Sequence, residues 1–173
     1  MSKIKSDFKD SELESLEILL GMHFNTELQA FMFESNKIEG CDGLNPNDLF
    51  VAKEAFLGIK DLKHLKGMHK NITAHLDIAW GGKWRTVNVR VGSYHSPKWE
   101  EVPELMLQYW KNFKNMDAWH AHNAFENIHP FQDFNGRMGR LIWLSKAVKE
   151  GYKFNITFLQ KYYYQTLDNY QRK

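Results

Sequence analysis

Between His129 and Arg140 the chain sets a histidine, a carboxylate, a glycine-bearing turn and two arginines within twelve positions, His-Pro-Phe-Gln-Asp-Phe-Asn-Gly-Arg-Met-Gly-Arg. His129 is the one side chain there that changes protonation near neutral pH, which makes it the natural general base for a hydroxyl nucleophile. Asp133 offers hard oxygens suited to Mg²⁺, a cation commonly held by one or two carboxylates together with substrate phosphates. Asn135 and the N–H groups around Gly136 can hydrogen-bond phosphate oxygens, and a glycine lets the backbone come close to its ligand. Arg137 and Arg140 are three apart, so in a first helical turn they share a face and can clamp a polyphosphate. Taken singly, a His-Pro pair is a common loop, Asp-x-Asn a common cap and first-turn arginines a common solvated pair. Their conjunction points to a phosphate-handling site at a helix N-terminus, where free N–H groups attract anions.

The elements that must position this loop are mostly helices. Leu13, Leu16, Leu19 and Leu20 repeat at helical spacing, as do Leu28, Phe31 and Met32; Pro46 to Asp48 start a helix over Leu49 to Leu57, and another is expected from Asp61 toward Leu76. Leu105 to Phe113 and Trp119 to Ile128 form two amphipathic runs, and a helix around Leu141 to Leu144 follows the loop. Trp80 to Tyr94 differs: Gly81-Gly82 can turn, and Val87, Val89 and Val91 alternate with Asn88 and Arg90, so a small hairpin is expected. His122, Phe125 and His129 fall at i, i+3 and i+7, which packs His122 beneath the loop; the spacing of His120 and His122 makes a poor chelating pair.

With 173 residues, 43% of them hydrophobic, the chain suits one domain with a substantial core. Cys41 stands alone, which excludes a disulfide framework, and no apolar run approaches the roughly 18 residues of a membrane span. No signal-peptide-like apolar segment follows the basic start, so a reducing, cytoplasmic setting is expected. A net charge of +2 without a basic block gives no reason to expect direct nucleic-acid binding. No HExxH, paired CxxC, Walker loop or GxSxG elbow is present, which leaves zinc, redox, P-loop and serine-hydrolase chemistry without a motif.

The segment from His129 to Arg140 resembles the signature of the Fic (Fic/Doc) family, H-x-F-x-[D/E]-G-N-G-R-x-x-R, at His129, Phe131, Asp133, Asn135, Gly136, Arg137 and Arg140. AHNAFENIHP, Ala121 to Pro130, resembles the helix that leads into the family loop, and Trp84 to Met106 resembles its hairpin flap and following helix. The resemblance implies an all-α helical bundle with a small β-hairpin flap: one domain over 1–173, with an inhibitory-helix region over about 21–45, a flap over 80–95 and a catalytic helix-loop-helix over 117–150. It also implies transfer of AMP from ATP to a hydroxyl side chain of a target protein. By the same likeness His129 activates the hydroxyl and Asp133 holds Mg²⁺. Asn135 and Gly136 form the anion hole, Arg137 supports the phosphates and Arg140 orients the γ-phosphate. The flap, Arg85, Thr86, Val87, Asn88, Val89 and Arg90, would take the target backbone as an added strand. The target is a second protein or another copy of this chain, and exposed aromatics admit a homo-oligomer. Tyr163, Tyr164 and Leu167 fit a family segment bordering the adenine, with Gln171 in place of its asparagine.

Ser35-Asn36-Lys37-Ile38-Glu39-Gly40 resembles the family's inhibitory helix, [S/T]-x-x-x-E-[G/N]. Ser35 and Glu39 share a helical face, and the likeness implies that Glu39 pairs with Arg140 and withholds it from the γ-phosphate. Read on spacing alone, the same stretch is a helix end with Gly40 as its C-cap. The one departure in the main motif is Phe134, where the family has glycine. Relatives altered in this part of the motif include kinases and phosphocholine transferases, so a phosphotransferase or other phosphodiester-forming enzyme is one alternative. A nucleotide-binding regulator with little catalysis is another.

Overall fold

The computed structural model describes residues 27–91 and 94–151. The expected helix at Leu13 to Leu20, and Tyr163, Tyr164, Leu167 and Gln171, lie outside the described residues. The elements run as helix α1 over 27–38, α2 (Asp48–Leu57), α3 (Leu62–Ile72), strands β1 (Arg90–Val91) and β2 (Tyr94–His95), α4 (Val102–Asn112), α5 (Ala118–Ile128) and α6 (Asn135–Lys149), with single 3-10 turns before and after α4. This is the expected all-α bundle with a small hairpin. None of its described helices is long and apolar enough to cross a membrane.

Local chemistry sets the helix ends. Asp61 accepts the His64 N–H at the start of α3 and Asp117 accepts the His120 N–H at the start of α5, each satisfying a donor that the helix itself cannot. Pro103 sits in the first turn of α4, where its missing N–H costs nothing. Helix α1 closes with Gly40 at φ 72°: the Cys41 N–H donates to Asn36 O and the Gly40 N–H to Lys37 O, a paired Schellman closure. Its end is tied to α2, because Asn36 Nδ2 donates to the buried Asp48 carboxylate at 2.7 Å and the Asn45 N–H donates to the same oxygen.

The core is built by all six helices through Leu28, Phe31, Val51, Leu65, Met68, Met106, Phe125, Met138 and Leu141, all buried. Helix α5 lies close along α6, and Gly139 permits the approach: a Cβ there would stand 2.1 Å from Glu126 Oε1. Helix α2 also packs on α6, where the Ile59 N–H donates to Ser145 Oγ. Helix α3 stops at Ile72 and continues to Leu76 only as turns, short of the helix expected there; Thr73 Oγ1 donates back to the His69 carbonyl at that end.

The hairpin is also shorter than its alternation predicts. Among the described residues only Arg90–Val91 pairs with Tyr94–His95, antiparallel. Residues upstream are held by side chains rather than a ladder: Arg85 Nη1 donates to the Val87 carbonyl, and Asn88 Oδ1 accepts the Trp99 N–H. The Trp99 N–H and the Val87 carbonyl are thereby engaged outside a strand ladder.

Candidate active site

The loop from His129 to Phe134 turns α5 into α6, and both of its ends carry left-handed backbone. His129 closes α5 at φ 50°, ψ 60°, and Phe134 precedes α6 at φ 63°, ψ 12°. Such conformations cost on the order of 1–3 kcal/mol for a residue with a Cβ, and persist where surrounding structure enforces them. The enforcing contacts are specific. Arg85, whose residue is 2% exposed, donates through Nε to the His129 carbonyl at 2.8 Å and through Nη2 to the Ile128 and Pro97 carbonyls, placing a cation on the carbonyl end of α5. Burial lowers its pKa. Arg85 therefore leaves the flap set expected from the sequence, since its guanidinium is turned inward, whereas Thr86, Val87, Asn88 and Arg90 are exposed and Val89 is half-buried.

His69 of α3 braces the middle of the loop. Its ring stacks on Phe131 with centroids 3.7 Å apart, Nε2 lies 3.1 Å from the Asp133 carbonyl, and Nδ1 accepts the Gly82 N–H at 2.9 Å. That pair of contacts requires the neutral Nε2–H tautomer, and burial pushes the ring pKa down to about 4. Asn135 is a correction to the sequence reading. Its side chain accepts the Phe131 N–H and donates to the Phe131 carbonyl, each at 2.9 Å, so it ties the loop to itself instead of facing a phosphate. The anion-binding capacity left at that point is the backbone at the start of α6, whose first N–H groups lack intrahelical partners by geometry.

Around that helix start the charged groups gather. Arg140, 1% exposed, donates from Nε to Ser35 Oγ at 2.7 Å and from Nη2 to the Ser35 carbonyl at 2.9 Å and to Glu39 Oε1 at 2.7 Å. Gly40 is thus the cap of α1, and the Glu39 side chain just before it reaches Arg140. Gly136 makes room, because a Cβ there would lie 2.4 Å from Glu39 Oε1. Arg137 lies over the Phe134 ring, its Cζ 3.3 Å from the centroid, and its buried Nε has no hydrogen-bond partner among the described residues. Burial lowers its pKa, opposed by the charge of Glu39. Phe134 is 5% exposed, with its ring edge-on to His69 and His75, so the residue in the glycine position has built a platform under Arg137.

His129 is half-buried, with Nδ1 facing Glu126 of the preceding helical turn. His122 is buried below, as its spacing predicts, and burial lowers its pKa. Asp133 is exposed and accepts the Phe134 N–H through Oδ1 at 2.6 Å. No group of three or more His, Cys, Asp or Glu side chains arranged to hold a metal occurs among the described residues. One exposed carboxylate on this loop fits Mg²⁺, which retains waters and shares substrate phosphates, and would not suffice for a resident zinc. Sequence spacing did not single out His69, Arg85 or Glu126. A signal for His69 was available, since it falls on the buried stripe Leu65, Met68, His69, Ile72.

Residues 60–144 match the model of the Fic/DOC family. A protein adenylyltransferase Fic of Culex quinquefasciatus is 32% identical over 130 residues, covering 69% of this chain and 25% of the relative. Its counterpart in Aedes aegypti is 32% identical over a similar share, 69% and 26%. The chain thus spans about a quarter of the length of these curated relatives. Among solved structures, a Fic family protein from Desulfovibrio desulfuricans superposes with a TM-score of 0.59 at 22% identity, covering 83% of this chain and 56% of that one. Fic-1 from C. elegans does so at 0.55 and 19%, covering 87% and 58%. These two likenesses carry the fold.

Proposed function

We propose, for a chain whose residues 60–144 belong to the Fic/DOC family, that it transfers AMP from ATP to a Tyr, Thr or Ser hydroxyl of a target protein, and that Glu39 holds it inactive. The observation that carries this reading is an anion site already filled from within: the Glu39 carboxylate sits on the buried guanidinium of Arg140 and against Gly136, at the positive end of α6. A site that holds a carboxylate there is shaped for a terminal phosphate once Glu39 withdraws. The nearby relatives named adenylyltransferases support the choice of AMP.

In the proposed reaction the target hydroxyl gives its proton to Nε2 of His129 while its oxygen bonds to the α-phosphorus of ATP. The bond from the α-phosphorus to the α,β-bridging oxygen breaks, and pyrophosphate leaves. Arg140 holds the γ-phosphate, Arg137 the phosphates beneath it, and the first N–H groups of α6, including that of Gly136, face the developing charge. Asp133 would hold Mg²⁺, whose contribution is to neutralise phosphate charge. The target backbone would dock along Thr86 to Arg90, where Val87 and the adjoining Val91 expose apolar surface. Tyr163 and Tyr164 are proposed for the adenine, 1–173 for a single domain, and the reducing cytoplasm for the setting of the free, exposed Cys41.

Phe134 favours a second reading, phosphoryl transfer, because its ring occupies the loop under Arg137 where the family has glycine. Incubating Glu39→Gly with α- or γ-labelled ATP separates the two. Protein-bound α label supports AMP transfer, γ label supports the kinase reading, and ATP binding without either label leaves a regulator.

A further inference from the structure

We infer that Glu126 is the positioning residue for His129, fixing its proton on Nδ1 and stabilising the charge that forms when Nε2 takes up the substrate proton. The inference rests on the proposed role of His129 and adds to it a residue that the family signature does not contain.

Two acceptors face His129 Nδ1, and both belong to Glu126: its backbone carbonyl at 3.3 Å and its Oε2 at 3.5 Å. Oxygens of this kind cannot donate, so a lone pair on Nδ1 would point at two negative atoms. The stable neutral ring therefore carries Nδ1–H and leaves the Nε2 lone pair bare, the arrangement a general base requires. An imidazole free in water favours neither arrangement strongly enough to guarantee this. The left-handed cap at His129, with its carbonyl fixed by Arg85, turns the ring back over the last turn of its own helix, toward Glu126.

The other carboxylate oxygen of Glu126 sits where it contributes no hydrogen bond to stability. Oε1 is buried without a hydrogen-bond partner among the described residues, and it lies over Gly139, where any Cβ would be 2.1 Å away. His122 Nδ1 converges on the same space, 3.0 Å from that Cβ position. The side chain as a whole is 23% exposed, but an inaccessible carboxylate oxygen without a donor is unfavourable in a resting structure. It becomes favourable when the ring beside it turns cationic, as a carboxylate does for the imidazole of a catalytic triad. Gly139 is thus needed by the carboxylate as well as by helix packing.

The test uses the 173-residue chain with Glu126→Gln, which keeps the shape and removes the charge, in the wild type and in Glu39→Gly. In ¹⁵N-labelled wild type, long-range imidazole spectra should show His129 protonated at Nδ1 and bare at Nε2; in Glu126→Gln, which keeps the backbone carbonyl at 3.3 Å and loses the carboxylate, the Nε2–H share should rise. In the Glu39→Gly background the same change should lower kcat by roughly 100-fold, with the KM for ATP unchanged and the melting temperature preserved. An Nε2–H tautomer in the wild type, or a kcat within about twofold of the parent, overturns the inference. If Glu39→Gly transfers nothing from ATP, the functional reading fails, and the tautomer in the wild type still decides the role of Glu126.

Discussion

Glu39 and Arg140, 101 residues apart in sequence, meet at 2.7 Å, and the meeting is asymmetric: the arginine side chain is 1% exposed and the glutamate 36%. Arg140 keeps two further acceptors on Ser35 when Glu39 is gone, so the arginine is not left stranded. The glutamate can leave and the site remains. Glu39→Gly should accordingly fold, losing about 1–2 kcal/mol in denaturant melts. Added Mg-ATP should then raise its melting temperature more than that of the wild type, since ligand bound only to the folded state adds stability by mass action.

Gly136→Ala tests the room made for the glutamate. A Cβ there would meet Glu39 Oε1 at 2.4 Å and Arg140 Nη1 at 3.2 Å. The substitution should cost about 1–3 kcal/mol in the wild type and clearly less beside Glu39→Gly. A double-mutant cycle measured by urea unfolding reads the coupling.

His69 predicts an acid-sensitive loop. Its ring is neutral in the fold with a pKa of about 4, against 6.5 when free. Between those values the unfolded chain binds the extra proton, so the contribution is complete above pH 6.5 and falls as pH drops toward 4, by about 3 kcal/mol in all. His69→Asn should be less stable at pH 7. It should also lose about one proton's worth of slope between pH 6.5 and 4 when stability is plotted against pH.

Phe134→Gly sets backbone against packing. Glycine removes a left-handed penalty of about 1 kcal/mol and also removes a buried ring that carries Arg137, a loss of about 3 kcal/mol or more. The net should be a loss of about 2 kcal/mol, seen in thermal or urea melts. A gain in stability would mean that the ring is strain and not a platform.

The sequence made the motif legible because its chemistry is local: His129, Asp133, Gly136 and the two arginines lie within one loop and one helical turn. The Glu39 to Arg140 contact was reached through likeness, since nothing in spacing joins residues so far apart. The helix start at Asp61 was similarly readable, and its side chain caps the helix as observed. What stayed hidden depends on tertiary context. Arg85 reads as an exposed strand residue until the α5 carbonyls claim it, while its Nη1 also takes the Val87 carbonyl. Asn135 reads as a phosphate ligand until the loop folds and Phe131 takes both ends of its amide.

The central claim is a transferase restrained by Glu39. Its most direct test is the intact mass of the Glu39→Gly protein, alone and with His129→Ala added, after incubation with Mg²⁺ and ATP. The account predicts an increment of one adenosine monophosphate residue on Glu39→Gly through self-modification, with little on the wild type and none once His129 is replaced. An increment of a single phosphoryl group, or none at all on Glu39→Gly, contradicts it.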